Sequence, residues 1–368
     1  MKNIYVTRPF LPPLSEFLPR LEEVWSSGIL TNCGPQHQQL EGALKKYLGV
    51  RNIALVNNGT AALQAALEIL DIQGEVITTP YSFVATSHSL VWRKCKPVFV
   101  DISPGDCNID PAKVAEAVNE RTSAILAVHC YGFPCDVESL QHIAEKNNLK
   151  LIYDAAHAFG VKYKNKSILN YGDISTLSFH ATKIFNTMEG GAVVCATSQN
   201  DARAKKIRNF GFDNETSVST IGLNFKLNEI QAIMGLAQLP HMDEILAKRK
   251  AIAAVYDAEL SGIEGIAFPR EREGALVNHS YYPILVKRDG KKKRDDLYAF
   301  LKKTGIHTRR YFYPLISDFV NYKDTAEEWA LPMARYVSER IICLPIYPDL
   351  SGEEQCFVIE KIKDFFGR

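Results

Sequence analysis

Seven short apolar runs dominate the first half of this 368-residue chain. They lie at 52–57, 75–80, 96–102, 123–132, 150–156, 173–179 and 190–197. Segments with helical apolar spacing or helix-capping residues, such as 60–70, 110–120 and 136–148, alternate with them. This alternation is typical of an α/β domain in which helices cover both faces of the sheet. We therefore predict a mostly parallel, seven-stranded sheet flanked by helices.

The pattern changes near residue 240. A long amphipathic helix with many charges is predicted over 242–260, and shorter strand and helix patterns follow at 281–286 and 293–305. A long helix that leads into a smaller unit is a common way to join two domains. We expect an N-terminal arm and a large α/β domain at 1–240, and a linking helix with a small α+β domain at 241–368.

Charge and cysteine usage limit the partners of the chain. The 43 basic and 42 acidic side chains leave a net charge of +1, so we expect no nucleic-acid partner. The eight cysteines form no C-x-x-C pair, which favours buried thiols in a reducing compartment over disulfides or a zinc site. No apolar run resembles a signal peptide or a membrane span. We expect a cytoplasmic protein without a membrane partner or a metal.

A phosphate site is predicted where the first strand turns into a helix, in "VNNGTAALQAAL". Gly59 and Thr60 would supply free backbone N–H groups and a hydroxyl at the positive end of the helix dipole. Ser178, at the end of a later strand, would add a second hydroxyl. Glycine-containing turns before helices are common, so this motif alone identifies no ligand.

An acid and an amine end two of the apolar strands. Asp154 closes "KLIYD" and Lys183 follows "LSFHAT", at the strand ends where α/β sheets bind ligands. A cap of the next turn is the alternative for Asp154, and a lysine that reaches water is the alternative for Lys183. A buried carboxylate would pair with a protonated ring nitrogen, and a desolvated amine would attack an aldehyde. Pyridoxal 5'-phosphate (PLP) carries both of these groups and a phosphate.

Longer motifs give the chain a family resemblance that runs from end to end. They include "ILTNCGPQHQQLEGALKKYLGV", "NNGTAAL", "YDAAHAFG", "SFHATK", "EGGAVV", "GLNFKLNEIQAIMGLAQL" and "CLPIYPDLSGEE". With these motifs the chain resembles the DegT/DnrJ/EryC1/StrS sugar aminotransferases, which are fold-type I PLP enzymes. The resemblance implies a PLP cofactor that alternates with its amine form, pyridoxamine 5'-phosphate.

The resemblance also implies roles for individual residues. Lys183 would bond to the cofactor aldehyde, and Asp154 would pair with the ring nitrogen. His157 would contact the phenolic oxygen, Phe83 would stack on the ring, and Asn224 would reach the phosphate from the neighbouring subunit of a homodimer with shared active sites. The other phosphate contacts would be Gly59, Thr60 and Ser178. As alternatives, Phe83, His157 and His180 are residues of the core, an interpretation we favour for His180.

The sugar end is less well defined by the sequence. The segment "RRYFYPLIS" is similar to a family segment near the nucleotide sugar. Its candidate sugar or pyrophosphate contacts are Arg309, Arg310, Tyr311 and Tyr313. The histidine that the family usually has after "YPL" is replaced by Ile316 and Ser317, which leaves the phosphate contacts open.

The reaction implied by the resemblance is a transamination. L-Glutamate would donate the amino group, and C4 of dTDP-4-keto-6-deoxyglucose would receive it, for O-antigen or another surface polysaccharide. Amination at C3, or a non-catalytic regulator that only binds PLP, are the alternatives. A nicotinamide oxidoreductase is disfavoured because no G-x-G-x-x-G follows the first strand.

Overall fold

A computed structural model describes residues 3–287, 292–322 and 330–367. A seven-stranded sheet forms its centre, as the sequence predicts. Numbered along the chain, the described strands are β1 (Ile4–Tyr5), β2 (Ile53–Val56), β3 (Glu75–Thr78), β4 (Lys96–Phe99), β5 (Thr122–Val128), β6 (Lys150–Asp154), β7 (Lys162–Tyr163), β8 (Lys166–Ser167), β9 (Ile174–Ser178), β10 (Gly191–Cys195), β11 (Phe212–Asn214), β12 (Ser217–Val218), β13 (Ile266–Ala267), β14 (Ala275–Leu276), β15 (Tyr282–Val286), β16 (Ile306–His307) and β17 (Ile341–Leu344).

The order of the central strands is β2-β10-β9-β6-β5-β3-β4. Only β10 runs antiparallel to its neighbours in this sheet, and the pairs β3–β4, β3–β5, β5–β6 and β6–β9 are parallel. All seven strands come from the seven apolar runs of the sequence. The prediction of a mostly parallel sheet is therefore confirmed.

Helices cover both faces of this sheet. Numbered along the described chain, they are α1 (Leu14–Ser27), α2 (Pro35–Leu48), α3 (Gly59–Ile69), α4 (Ala85–Trp92), α5 (Pro111–Ala117), α6 (Val137–Lys146), α7 (Ser198–Ile207), α8 (Glu229–Gln238), α9 (Met242–Leu260), α10 (Arg294–Lys303), α11 (Pro332–Ser338) and α12 (Gly352–Phe366). Asp136 caps α6 by accepting the Ser139 N–H, as the sequence predicts.

Alternate residues of the strands supply two apolar cores. In β2, Leu55 packs with α2, α5 and α6 on one face, whereas Ala54 and Val56 pack with α3 and α7 on the other. Successive side chains of a strand point to opposite faces, so a strand covered on both faces must be apolar throughout. This requirement explains why the sequence shows continuous apolar runs instead of polar–apolar alternation.

The C-terminal part has a core of its own. The helices α9, α10 and α12 pack on the antiparallel sheet β13-β15-β17 in a separate apolar cluster. On this basis we propose the division into 1–240 and 241–368. The N-terminal arm does not follow this division, because β1 pairs in parallel with β16 and Ile4 packs in the C-terminal cluster.

The cysteines and the helix lengths bear on two further expectations. All eight cysteines lie in the described ranges and none forms a disulfide, and six of them are buried. Cys33 is half-buried and Cys356 is exposed, so the prediction of buried thiols fails at these two positions. Within the described ranges, every helix is either too short or too polar to cross a membrane.

A buried carboxylate ties the start of α2 to the start of α8. Glu229, the first residue of α8, is fully buried and accepts the backbone N–H groups of Gln36 at 2.8 Å and His37 at 3.1 Å. The first N–H groups of a helix have no partner inside the helix, so they need an acceptor from elsewhere when they are buried. Glu229 thus satisfies two such donors at once.

We predict that Glu229→Ala lowers the free energy of unfolding by about 2–4 kcal/mol, because two buried N–H groups lose a charged acceptor. Urea unfolding followed by circular dichroism measures the change. Glu22→Ala, on the exposed side of α1, is the control and should stay within about 0.5 kcal/mol of the parent. Equal losses in the two variants would contradict the role given to Glu229.

Candidate active site

One cavity of about 310 Å³ lies at the carboxyl ends of β2, β6 and β9. Parallel strands present their carboxyl ends at the same edge of the sheet, which is where α/β proteins bind ligands. The cavity brings together eight of the residues predicted from the sequence: Gly59, Thr60, Phe83, Asp154, His157, Ser178, Lys183 and Tyr311. The other four, Asn224, Arg309, Arg310 and Tyr313, do not line it.

The first wall of the cavity is the start of α3. Asn58 caps this helix by accepting the Ala61 N–H at 2.8 Å, and Gly59 is its first residue. A Cβ atom at position 59 would lie 2.8 Å from the Ser178 Cβ, so glycine lets the helix start approach the end of β9. The helix N-terminus and the Thr60 and Ser178 side chains therefore meet at one edge, where an anion would bind.

The second wall holds a buried carboxylate. Asp154, the last residue of β6, accepts the Thr86 hydroxyl at 2.7 Å on one oxygen and the Ala156 N–H at 3.1 Å on the other. Burial raises the pKa of Asp154, while these two hydrogen bonds and the nearby Lys183 charge act to lower it. Asp154 is 6% exposed, so its charged form is poorly solvated. A cationic atom of a ligand would offset this loss of solvation.

Lys183 lies opposite this carboxylate on the turn that follows β9. Its backbone N–H donates to the His180 carbonyl at 2.8 Å, and its Nζ lies 3.5 Å from the Tyr281 hydroxyl. Burial lowers the pKa of Lys183 to about 8, and the Asp154 charge acts in the opposite direction. The side chain is thus an amine with a sizeable neutral fraction near pH 8, which is what a nucleophile or proton acceptor needs.

Tyr281 is a cavity residue that the sequence reasoning missed. The segment "NHSYYPI" contains two adjacent tyrosines, and their chemistry alone does not say which one faces the cavity. Tyr281 lines it, whereas Tyr282 packs in the C-terminal cluster and bonds Asp257 at 2.6 Å. The strand pattern of 281–286 indicates that the two rings point apart, but not which ring meets Lys183.

His157 is buried and offers a hydrogen-bond donor to the cavity. Its Nδ1 accepts the Tyr131 backbone N–H at 3.2 Å, which assigns the ring proton to Nε2 in the neutral form. Burial, followed by the Lys183 charge, holds the pKa of His157 well below its usual range. Two aromatic contacts fix the ring. It stacks on Phe312, with 6.0 Å between the ring centroids, and meets Tyr281 edge to face, with 4.8 Å between the centroids.

Two aromatic rings at the cavity are exposed and not part of the core. Phe83 lines the cavity and is 60% exposed, so its ring face is open to a ligand or to another chain. His180 is exposed at the same cavity; its Nδ1 lies 2.8 Å from the Thr182 hydroxyl and its Nε2 lies 3.6 Å from Glu189. The interpretation of His180 as a core histidine is wrong, because the turn after β9 carries it to the surface.

Three of the residues expected to contact the sugar do not line the active-site cavity of this chain. Arg310 bonds Asp295 at 3.0 Å, and Arg309 is exposed with its backbone paired to Cys343. Tyr313 lines a separate cavity of about 440 Å³ beside Arg294. Of the four predicted contacts in this segment, Tyr311 is the one that lines the active-site cavity.

Asn224 is exposed on the loop between β12 and α8. Its backbone carbonyl accepts the Asn57 side-chain amide at 3.4 Å, which attaches the loop near the start of α3. Within one chain its side chain does not contribute to the cavity.

Comparisons with known proteins agree with the fold and the cavity. Two curated dTDP-4-amino-4,6-dideoxy-D-glucose transaminases are similar over almost their whole length. The one from Shigella dysenteriae is 48% identical over 99% of both chains, and the one from Escherichia coli is 46% identical over 96% of both chains.

Solved structures of sugar aminotransferases share the fold. DesI, crystallised in the presence of its TDP-sugar product, superimposes with a TM-score of 0.95 at 33% identity and covers 100% of this chain and 94% of its own. PseC, an aminotransferase from Helicobacter pylori, superimposes with a TM-score of 0.92 at 31% identity over 100% of both chains. The fold is thus that of the fold-type I sugar aminotransferases, as the sequence predicts.

The family assignment rests on the whole chain and not on the cavity alone. The family model described as the DegT/DnrJ/EryC1/StrS aminotransferase family matches residues 14–363. This chain therefore belongs to the DegT/DnrJ/EryC1/StrS aminotransferase family.

Proposed function

We propose that this aminotransferase uses PLP to move the amino group of L-glutamate to C4 of dTDP-4-keto-6-deoxyglucose. The products are dTDP-4-amino-4,6-dideoxy-D-glucose, a precursor of O-antigen or another surface polysaccharide, and 2-oxoglutarate. One observation carries the proposal: a buried amine of lowered pKa and a buried carboxylate share a cavity with a helix N-terminus. The similar transaminases from Shigella dysenteriae and Escherichia coli support the choice of sugar and carbon.

The cavity residues fit PLP group by group. Asp154 would hold the protonated ring nitrogen, His157 would donate to the phenolic oxygen, and Phe83 would cover the ring face. The phosphate would bind at the start of α3, with contacts from Gly59, Thr60 and Ser178. Bound there, PLP supplies an aldehyde for amine exchange and a ring that accepts electrons.

Lys183 is the residue that moves protons. In the first half-reaction its neutral Nζ would take the proton from the α-carbon of glutamate, and in the second half-reaction the protonated Nζ would give a proton to C4 of the sugar. The hydroxyl of Tyr281, 3.5 Å away, orients the amine. Asp154 would keep the ring nitrogen protonated, because a buried carboxylate without a cationic partner is unfavourable.

The sugar and its nucleotide would enter from the open side of the cavity. Tyr311 lines the cavity and is our proposed contact to the sugar. Arg309, Arg310 and Tyr313 stay predictions as sugar or pyrophosphate contacts. To bind a phosphate, Arg310 would have to give up its ion pair with Asp295.

We propose a homodimer with shared active sites. Large apolar side chains line one groove, two of them close to Asn224 in the sequence, and are exposed, with Trp92 78%, Ile221 80% and Leu223 54% exposed. Contiguous exposed apolar surface marks an interaction site, and a second copy of this chain would cover it. The Asn224 side chain would then reach the phosphate of the neighbouring subunit.

The unpaired cysteines support our proposal of a cytoplasmic location.

The reaction itself is tested with purified protein reconstituted with PLP. We predict that L-glutamate removes the visible absorbance of the bound cofactor and releases 2-oxoglutarate. Adding dTDP-4-keto-6-deoxyglucose should restore the absorbance, and NMR of the product should place the new amino group at C4. An amino group at C3 would favour the C3-aminating alternative, and absorbance that ignores glutamate would favour the non-catalytic regulator.

The Lys183 amine should deprotonate with a midpoint near pH 8 in the cofactor-free protein, because burial lowers its pKa to about 8 from the ordinary 10.5. Competitive acetylation followed by mass spectrometry measures the midpoint, since only the neutral amine reacts. Asp154→Asn should move the midpoint to lower pH, because the carboxylate acts to raise the pKa of Lys183. Lys150, exposed at the opposite end of β6, is the internal reference. A Lys183 midpoint near the ordinary 10.5 would refute the effect of burial.

Subunit complementation tests the shared site. Lys183→Ala and Asn224→Ala should each inactivate their own homodimer, whereas co-expression should restore about a quarter of the parent activity, because random pairing gives half heterodimers with one intact site each. The matched control combines Lys183→Ala with Asp154→Ala. These two residues line the cavity of a single chain, so no heterodimer site is intact and no activity should return. Recovery in the control, or none in the test pair, would count against sharing through Asn224.

A further inference from the structure

A chain of three buried side chains lies at one wall of the active-site cavity. Ser82 precedes α4, Thr86 is the second residue of that helix, and Asp154 ends β6. The Ser82 Oγ lies 2.8 Å from the Thr86 Oγ1, and Thr86 donates to Asp154 Oδ2 at 2.7 Å. The transamination proposed above uses Asp154 but gives no role to the two hydroxyls.

The direction of the two hydrogen bonds follows from the number of protons. A hydroxyl has one proton to donate, and a carboxylate only accepts. The Thr86 proton is used in the bond to Asp154, so Ser82 must donate in the bond between the two hydroxyls. Both donors therefore point toward the carboxylate, from Ser82 through Thr86 to Asp154.

This direction favours the charged form of Asp154. Hydrogen bonds to an ionised acceptor are about twice as strong as bonds between neutral groups, and linked bonds polarise one another. If Asp154 were protonated, it would donate to Thr86, and both bonds would reverse and become neutral ones. The two hydroxyls thus oppose the effect of burial, which favours the neutral acid.

The position of the two hydroxyls leaves part of the carboxylate open to the cavity. Ser82 and Asp154 line the cavity, whereas Thr86 lies outside its lining. Asp154 Oδ1 accepts the Ala156 N–H at 3.1 Å, so each carboxylate oxygen is held by one donor of the protein. A carboxylate has about four acceptor sites, so acceptor capacity is left for a cationic atom in the cavity.

We propose that Thr86 and Ser82 are positioning residues of the transamination, which keep Asp154 charged and oriented toward the ring nitrogen of the cofactor. Lys183 is a further cavity residue whose charge favours the ionised form of Asp154. The other titratable side chains that line the cavity in the described part of the chain are His157, His180, Glu189, Tyr281 and Tyr311. The inference rests on the proposed function in its last step, the contact with the ring nitrogen.

Titration of Asp154 in the cofactor-free protein tests the role of the hydroxyls. Aspartate labelled with 13C at the side-chain carboxyl gives signals that follow protonation, and the Asp154 signal is the one lost in Asp154→Asn. We expect Thr86→Val to raise the midpoint by about one to two pH units, because the charged form loses a donor and valine leaves no space for a replacing water. Ser82→Ala should raise it less, because Thr86 still donates, and Thr86→Ser should keep the parent midpoint.

Thr78→Val is the matched control for this titration. Thr78, on β3, is also fully buried and donates its hydroxyl to the Leu126 carbonyl at 2.8 Å, so the variant removes a buried hydroxyl that is not bonded to Asp154. Circular dichroism checks the folding of every variant. An unchanged midpoint in Thr86→Val, or an equal rise in Thr78→Val, would overturn the proposal. If Thr86→Val does not fold, an unchanged midpoint in Ser82→Ala has the same consequence.

The contact with the cofactor is tested separately with PLP that carries 15N in its ring. The parent should give the signal of a protonated ring nitrogen, and Thr86→Val should move it toward the neutral form at the same pH, because the proton shared with Asp154 shifts to the carboxyl. Equal signals in both proteins would contradict the link to the cofactor. Failure of the parent to bind PLP would instead refute the proposed function, while the midpoints of the cofactor-free protein would still decide whether the hydroxyls act on Asp154.

Discussion

Burial of the central sheet on both faces is the constraint on which the site depends. Strands covered on both sides leave no room for polar side chains along their length, so polar chemistry collects where the strands end. Asp154 closes β6, Ser178 closes β9 and Gly59 begins the helix after β2. Because these strands run in the same direction, the three residues meet at one edge of the sheet. The cavity is therefore a consequence of strand direction more than of any single contact.

The same burial acts on the charges of the site in opposite directions. It favours the neutral forms of Lys183 and Asp154, which lowers the pKa of the amine and raises that of the carboxyl, while the attraction between the two charges opposes both shifts. A cationic ring nitrogen beside Asp154 would remove the need for Lys183 to carry the balancing charge. The amine would then be free to act as a base. Cofactor binding and lysine activation are thus coupled by the electrostatics of one enclosed space.

Local sequence patterns predicted what depends on local chemistry. The seven strands, the helix capped by Asp136 and five of the eight cavity residues follow from apolar runs, capping residues and strand ends, whereas the family resemblance implied Phe83, His157 and Tyr311. The features that the sequence did not reveal depend on contacts between distant segments. Examples are the approach of Tyr281 to Lys183, the ion pair between Arg310 and Asp295, and the pairing of β1 with β16. Each is decided by the register of strands or by the packing of a segment far along the chain, which spacing within one segment does not encode.

The competition between burial and neighbouring charge reaches the opposite result at Cys33. At Lys183 burial dominates, and the amine loses part of its charge at physiological pH. At Cys33 the influence of His37 and Arg208 outweighs burial and lowers the pKa of the thiol. His37 bonds the carbonyl of Leu227, so the charges at the start of α2 lie beside the loop that carries Asn224.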